Sequence, residues 1–241
     1  MFASLVGIAL LGLLLYRIGL DGYKRLSPAF LTSFDNWRPQ LAGVKAALVG
    51  SICVMVLTAL ISVPIGVAAA VYLEEFNHKK SRFFEFVELN IANLAGVPSI
   101  VYGILGLTIF VRWLSLGQSI LAGALTMSLL ILPLLITVTQ EALRAVPPSF
   151  REGSFALGAT EWQTIYRQVL PAASPGIMTG IILSMSRAIG ETAPLLLIGA
   201  AGFVRFLPQN LNDGFTVLPI QIYSWANLPQ PKYHEAAAAA I

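Results

Sequence analysis

The chain alternates between long apolar runs and short polar segments. Three stretches hold no charged residue at all: 46–73, 89–111 and 113–140. Each exceeds the roughly 20 residues that cross a bilayer core as a helix. Further apolar runs cover 1–19 and 175–201. None shows the alternation of a barrel strand, so helices are the predicted solution. The pattern predicts spans near 1–19, 46–73, 88–111, 119–140 and 175–201. A sixth is expected from about 235, where an alanine run begins and Ile241 cuts it short. The first run has no basic residue ahead of it and no clear cleavage motif after it, and reads as a span. The expected fold class is all-α: a polytopic transmembrane helical bundle of about six spans, forming one domain over 1–241. Pro64, Pro98, Pro133 and Pro194 fall in four successive spans, where each is expected to kink its helix. Ala92, Ala95, Gly96, Gly103 and Gly106 give the third span a surface suited to close helix packing.

The polar segment 141–174 breaks this rhythm. Pro147-Pro148 ends the helix before it. Ser149-Phe150-Arg151-Glu152 fits a capping box, with a hydroxyl at the N-cap and a carboxylate three residues on. Gly158 offers a stop where a left-handed turn suits glycine. Thr160-Glu161-Trp162-Gln163 repeats the box, and Pro171 is expected to close the second helix. Two short capped helices between spans read as a docking surface.

The fifth run carries Arg187 and Glu191. A charge at the bilayer centre costs about 2.5–3.5 kcal/mol on insertion scales, so it marks a functional candidate. Spaced i,i+4, the two are expected to pair on one helix face. Gly180 and Ser184 extend that face into a stripe without bulky apolar side chains. One reading is a helix pin. The other is a translocation path, in which the arginine fork attracts an oxyanion and Glu191 keeps the binding weak enough for release.

Composition agrees with a membrane protein. The chain is 56% hydrophobic and 11% charged, against about 25% charged in soluble domains. A net charge of +3, spread over loops, gives no basis for nucleic-acid binding. Cys53 is the single cysteine, and His78 and His234 are far apart, so no metal site is expected. Orientation is undecided by charge. Lys79, Lys80, Arg82, Arg144, Arg151 and Arg167 fall on one side, and Lys24, Arg25, Arg38, Arg112, Arg205 and Lys232 on the other. Asn90, Asn93 and Ser99 fit interhelical hydrogen bonds and pore residues equally. Trp113, Trp225, Tyr102 and Tyr223 read as interfacial anchors or packing aromatics.

Glu152-Gly153-Ser154, Gly158 and Leu170-Pro171 carry the spacing of the EAA loop of ABC-transporter membrane subunits, with Gly153 and Ser154 in place of two alanines and Gln168 in place of an aliphatic residue. The segments NLAGVPSIVYGILGL (93–107), ALGATEWQTIYRQVLPAASPGIMTGIIL (156–183), SRAIGETAPLLLIGA (186–200) and LPIQIYSWA (218–226) resemble the PstA-type permease subunits of phosphate-specific ABC importers. The resemblance implies a type I ABC importer permease in the bacterial cytoplasmic (inner) membrane, with 141–174 as its cytoplasmic coupling loop. It implies coupling of an ATPase through Ser149, Arg151, Glu152, Gly158, Thr160, Leu170 and Pro171, and a path for phosphate at Arg187 and Glu191. The implied partners are a related second permease as heterodimer, two ATPase subunits, a periplasmic phosphate-binding protein and membrane lipid. The chain has no Gly-Lys pair and so no Walker phosphate loop. It is expected to bind no cofactor and to be no enzyme, the ATP-Mg being used by the partner ATPase. A permease for another oxyanion and a passive or secondary anion carrier are the alternatives; the second would have no use for the docking loop.

Overall fold

The computed structural model describes residues 2–76, 82–200 and 202–241; His78, Lys79 and Lys80 lie outside them. No strand occurs among the described residues. In chain order the helices are α1 (Phe2–Gly22), α2 (Pro28–Thr32), α3 (Lys45–Glu75), α4 (Arg82–Ala95), α5 (Ser99–Gly106), α6 (Ile120–Arg144), α7 (Pro148–Ala156), α8 (Glu161–Thr164), α9 (Leu170–Ile189), α10 (Ala193–Leu197), α11 (Leu218–Ala226) and α12 (Pro231–Ala240). A π-helical turn, Leu107–Trp113, continues α5, and another, Ile165–Val169, joins α8 to α9.

Among the described residues four helices are long and apolar enough to cross a bilayer: Ser4–Gly22, Lys45–Glu75, Ile120–Arg144 and the continuous Glu161–Ile189. The third apolar run is not one straight span. α4 and the helix Ser99–Trp113 meet at 101°, and together they count as a fifth crossing at most. The bend follows from Pro98, which has no N–H to return to the Leu94 carbonyl. That carbonyl instead accepts from the Val97 amide and, at 2.8 Å, from the Tyr102 hydroxyl. The fifth span starts at Glu161 rather than near 175. Where the beginning of a sixth span is expected, the structure has the ten-residue α12, packed on α1 and α11.

α6 is the hub, packing against α3, α9, α4 and α5. Two thirds of its most apolar stretch is buried (67%), against 6% for α1, whose apolar side chains are left exposed. The α3–α6 seam is lined with small and hydroxylic residues. Thr58 Oγ1 donates to the Ala124 carbonyl at 3.4 Å, and Ser128 Oγ reaches back across the seam to the Thr58 carbonyl at 3.4 Å. Gly66 lies under the Leu135 side chain. Lipid provides no hydrophobic drive between helices, so close backbone approach and such bonds hold the seam.

Several local expectations need correction. α3 and α6 run unbroken through Pro64 and Pro133, and α9 runs through Pro175. Of the four span prolines, Pro98 and Pro194 stand at breaks, each at the start of a short helix. Gly103 and Gly106 pack closely, against α10 and Thr126, whereas Ala92 and Gly96 are exposed. Asn90 bonds within its own helix, to the Phe86 carbonyl. Trp225 and Tyr102 are buried packing aromatics, while Trp113 and Tyr223 are exposed.

Candidate functional site

α3 and α6 end at the same side of the bundle, where Arg144 meets Glu74 at 2.8 Å. α7 starts there. Pro147 occupies its N-cap and Pro148 its first turn, where a missing N–H costs nothing. Ser149 therefore already lies inside the helix, and the capping box expected between Ser149 and Glu152 does not form. Both residues are exposed.

The stop at Gly158 is as the sequence predicts. Gly158 has φ +78°, its amide donates to the Phe155 carbonyl, and the Ala159 amide donates to Ser154. These are the two bonds of a Schellman motif. Thr160 then caps α8 with a complete box: the Gln163 amide donates to Thr160 Oγ1 at 3.3 Å, and the Thr160 amide to Gln163 Oε1 at 3.0 Å. A hydroxyl pair, Ser154–Thr164 at 2.8 Å, ties the two helices together.

Pro171 does not close the second helix. The helix passes through it into the membrane span, with the π-helical turn just ahead. In that turn the Leu170 amide bonds back to Ile165, five residues away, and the widened ladder absorbs the donor that Pro171 lacks. Leu170 is half-buried on the core cluster that includes Val169 and Ala173.

α7 buries no side chain. Phe150 and Phe155 are exposed, and Leu157 is 91% exposed. Phe150, Gly153, Ser154, Leu157, Gln163 and Arg167 line an open groove between α7 and α8. Arg151 points the other way. It grips both carboxylate oxygens of Glu75, at 2.5 and 3.0 Å, and donates to the carbonyls of Val146 and Leu143. Glu75 holds the Arg151 guanidinium even more firmly protonated than usual.

The second region is the end of α9. Arg187 Nε lies 3.6 Å from Glu191 Oε1, but the pair straddles a helix end and does not share one helix face. α9 stops at Ile189, with Gly190 as its cap, and α10 restarts at Ala193. The stripe divides. Gly180 and Ser184 are buried, a methyl on Gly180 would lie 2.5 Å from Val138 of α6, and Ser184 Oγ is buried with no hydrogen-bond partner. The Arg187 side chain is 48% exposed and that of Glu191 20%. Tyr102, which braces the α4–α5 bend, is within electrostatic reach of Arg187. Sequence reasoning missed Tyr102, Glu74, Glu75 and Glu88 as site residues; a run of charge at the tips of apolar helices was the available signal.

An all-α bundle of bilayer-length helices, with a capped helix pair at one end and an arginine in its last long helix, defines a multi-pass membrane protein. The chain belongs to the family of binding-protein-dependent transport system inner membrane components, which it matches over residues 62–226. It is 40% identical over 196 residues to a probable ABC transporter permease protein, YqgH, of Bacillus subtilis, covering 76% of this chain. It is 38% identical over 213 residues, 84% of the chain, to the phosphate transport system permease protein PstA of Mycobacterium leprae. The PstA of Haemophilus influenzae is 33% identical over 235 residues, 98% of the chain. The chain spans 61%, 68% and 82% of the lengths of these three relatives.

Proposed function

We propose that this chain is one permease half of an ATP-driven phosphate importer. Two of the relatives named above are phosphate transport permeases, which supports the choice of substrate. The observation that carries the reading is Arg187. Its guanidinium stands half exposed at the end of an otherwise apolar helix, held loosely by one carboxylate at 3.6 Å. A buried structural pair would be tighter and covered. An exposed fork of five donors beside a helix break suits brief capture of an oxyanion. Glu191 limits the dwell time, and Gly190 lets the pair separate as the helix end moves. Ser184 and Gly180 seat this helix on α6, with Ser184 one turn below the arginine. A related second permease supplies the other wall of the path.

The α7–α8 pair is the coupling surface of the 141–174 loop. It faces the cytoplasm, where Phe150, Phe155 and Leu157 seat against an ATPase subunit. Ser149 and Glu152 lie on the exposed part of α7, and Gly158 and Thr160 fix the angle between the helices. Leu170 and Pro171 carry the motion into the span. Two ATPase subunits hydrolyse ATP-Mg, and a periplasmic phosphate-binding protein delivers the substrate at the opposite side of the inner membrane.

The test is reconstitution in proteoliposomes with the ATPase, second permease and binding protein. Arg187→Gln is expected to abolish phosphate uptake while assembly and ATP hydrolysis persist. Normal uptake by that variant removes the path reading. Uptake by the unmodified protein that follows an ion gradient and ignores ATP makes the chain a secondary carrier.

A further inference from the structure

α7 buries no side chain; Arg151 ties it to the nearby Leu143 and Val146 carbonyls, the Ser154–Thr164 hydroxyl pair ties it to α8, and one ion pair reaches a helix distant in sequence. Arg151 reaches across to Glu75, the last residue of α3. The next residue back, Glu74, points to a different side, as adjacent helical positions must. It takes Arg144 at the end of α6. Arg144 also lies 3.8 Å from Glu88 of α4, and Gln140 Nε2 donates to the same Glu88 at 3.3 Å. The connection thus runs from α7 to α3, across to α6, and on to α4, the half of the third apolar run that bends by 101°. The Glu75 side chain is 8% exposed and that of Arg151 25%, so water screens this pair little. Its geometry is the bidentate fork, the most directional form of ion pair.

Resting on the functional reading above, we propose that Arg151 and Glu75 form the strut that transmits displacement of the coupling helix to α3, and that Arg144 relays it through Glu74 and Glu88 to α4. α7 is joined to α6 and α8 through the backbone. Without the strut it could rotate about the Pro147–Pro148 and Gly158 turns without moving α3. Arg151 and Glu75 are positioning residues; neither meets the substrate.

The experiment uses the full assembly in proteoliposomes and reads ATP hydrolysed per phosphate imported. Arg151→Gln and Glu75→Gln are each expected to raise that ratio by at least about fivefold, the low end of ordinary coupling energies. The double variant is expected to be no worse than either single one, because both remove the same contact. Arg151→Lys keeps the charge but loses the fork, and is expected to fall between. In a Cys53→Ala background, Glu75→Cys with Arg151→Cys joined by a short bis-maleimide linker is expected to restore the ratio. An unchanged ratio in both single variants overturns the strut, including the case where uptake and hydrolysis fall together, since that reports assembly alone. A second readout is independent of the substrate: a spin label at Leu89 of α4 is expected to respond to the nucleotide state of the bound ATPase, and to lose that response in Arg151→Gln. A response kept in that variant overturns the strut. Failure of the unmodified assembly to import phosphate strikes the functional reading, and the spin label still decides the strut.

Discussion

The two ends of this bundle are built on opposite principles. At the α7 end, α7 sits over a buried cluster that includes Leu143, Ile165 and Val169, but its own contacts are polar or charged and few. α7 buries nothing, the Arg144 side chain is half exposed, and aromatic and aliphatic side chains face outward. At the opposite end, contacts are buried and directional. Asp35 is 4% exposed and accepts from Gln221 at 2.9 Å, Trp225 at 3.1 Å and the Asn36 amide at 2.8 Å. The Tyr233 hydroxyl bonds the Asn36 carbonyl, and the Leu218 amide bonds Ser51 Oγ. Phe215 is buried over Gly123. A buried, directional hydrogen-bond network specifies one arrangement. The exposed Arg144, shared between Glu74 and Glu88, can exchange partners at small cost, whereas the covered Arg151–Glu75 fork stays fixed. The difference teaches where this molecule is made to change and where it is made to hold.

The largest test of that contrast is at Gly50. A methyl there would lie 2.0 Å from the Thr216 carbonyl oxygen, which is backbone and cannot swing away. Gly50→Ala is expected to cost about 1–3 kcal/mol or more by overpacking, read as a drop in melting temperature in detergent. An unchanged melting temperature would show that the loop 202–217 gives way, and that this end is not fixed. Asp35→Asn comes next. Its carbonyl oxygen can still accept from Trp225 and the Asn36 amide, but its NH2 then faces the Gln221 donor, with an expected loss of about 1–3 kcal/mol. The pH dependence has a definite sign. Burial, the largest cause, raises the Asp35 carboxyl above its ordinary value of 3.8, against the lowering by Gln221 and Trp225. Between those two values the folded state holds the proton that the unfolded state has released. This residue's contribution to stability therefore falls as pH rises from about 3.8 through the raised value, and is level above it. Comparing melting curves of the unmodified chain and Asp35→Asn across that window isolates the effect; equal slopes would mean Asp35 does not titrate there.

The contrast was only half legible in the sequence. The spans expected at 46–73 and 119–140 match α3 and α6 to within a few residues, because length and charge alone decide what a bilayer accepts. The turn at Gly158 and the cap at Thr160 were readable because each needs only local chemistry. Pro171 was misread for lack of a signal that a π-helical turn would carry the helix through. Ser149 was misread because two prolines start α7 two residues sooner. The ends themselves were illegible. Asp35 meets Gln221 and Trp225 across nearly the whole chain, and Arg151 meets Glu75 across 76 residues. Such pairings are tertiary, and periodicity carries no trace of them. The same applies to the stripe: spacing put Arg187 and Glu191 on one face, but the helix ends between them.

The smallest effect on stability, and the sharpest on function, is expected at Gly158. Nothing lies within 4 Å of a side chain built there, so no packing is lost. Only the backbone objects: φ +78° is left-handed, which costs a β-branched residue roughly 1–3 kcal/mol. Because α7 is held to the bundle by so few contacts, the turn relaxes and the fold survives. Gly158→Val is therefore expected to leave the melting temperature nearly unchanged while the helix pair loses its angle, so that the ATPase fails to bind or hydrolyses ATP without uptake. Gly158→Asn, which tolerates the left-handed region, is expected to retain most of both. ATPase pull-down and uptake on the two variants decide it. Equal, unimpaired behaviour of Val and Asn would mean that the angle at this turn is irrelevant, and that the adjustable end adjusts elsewhere.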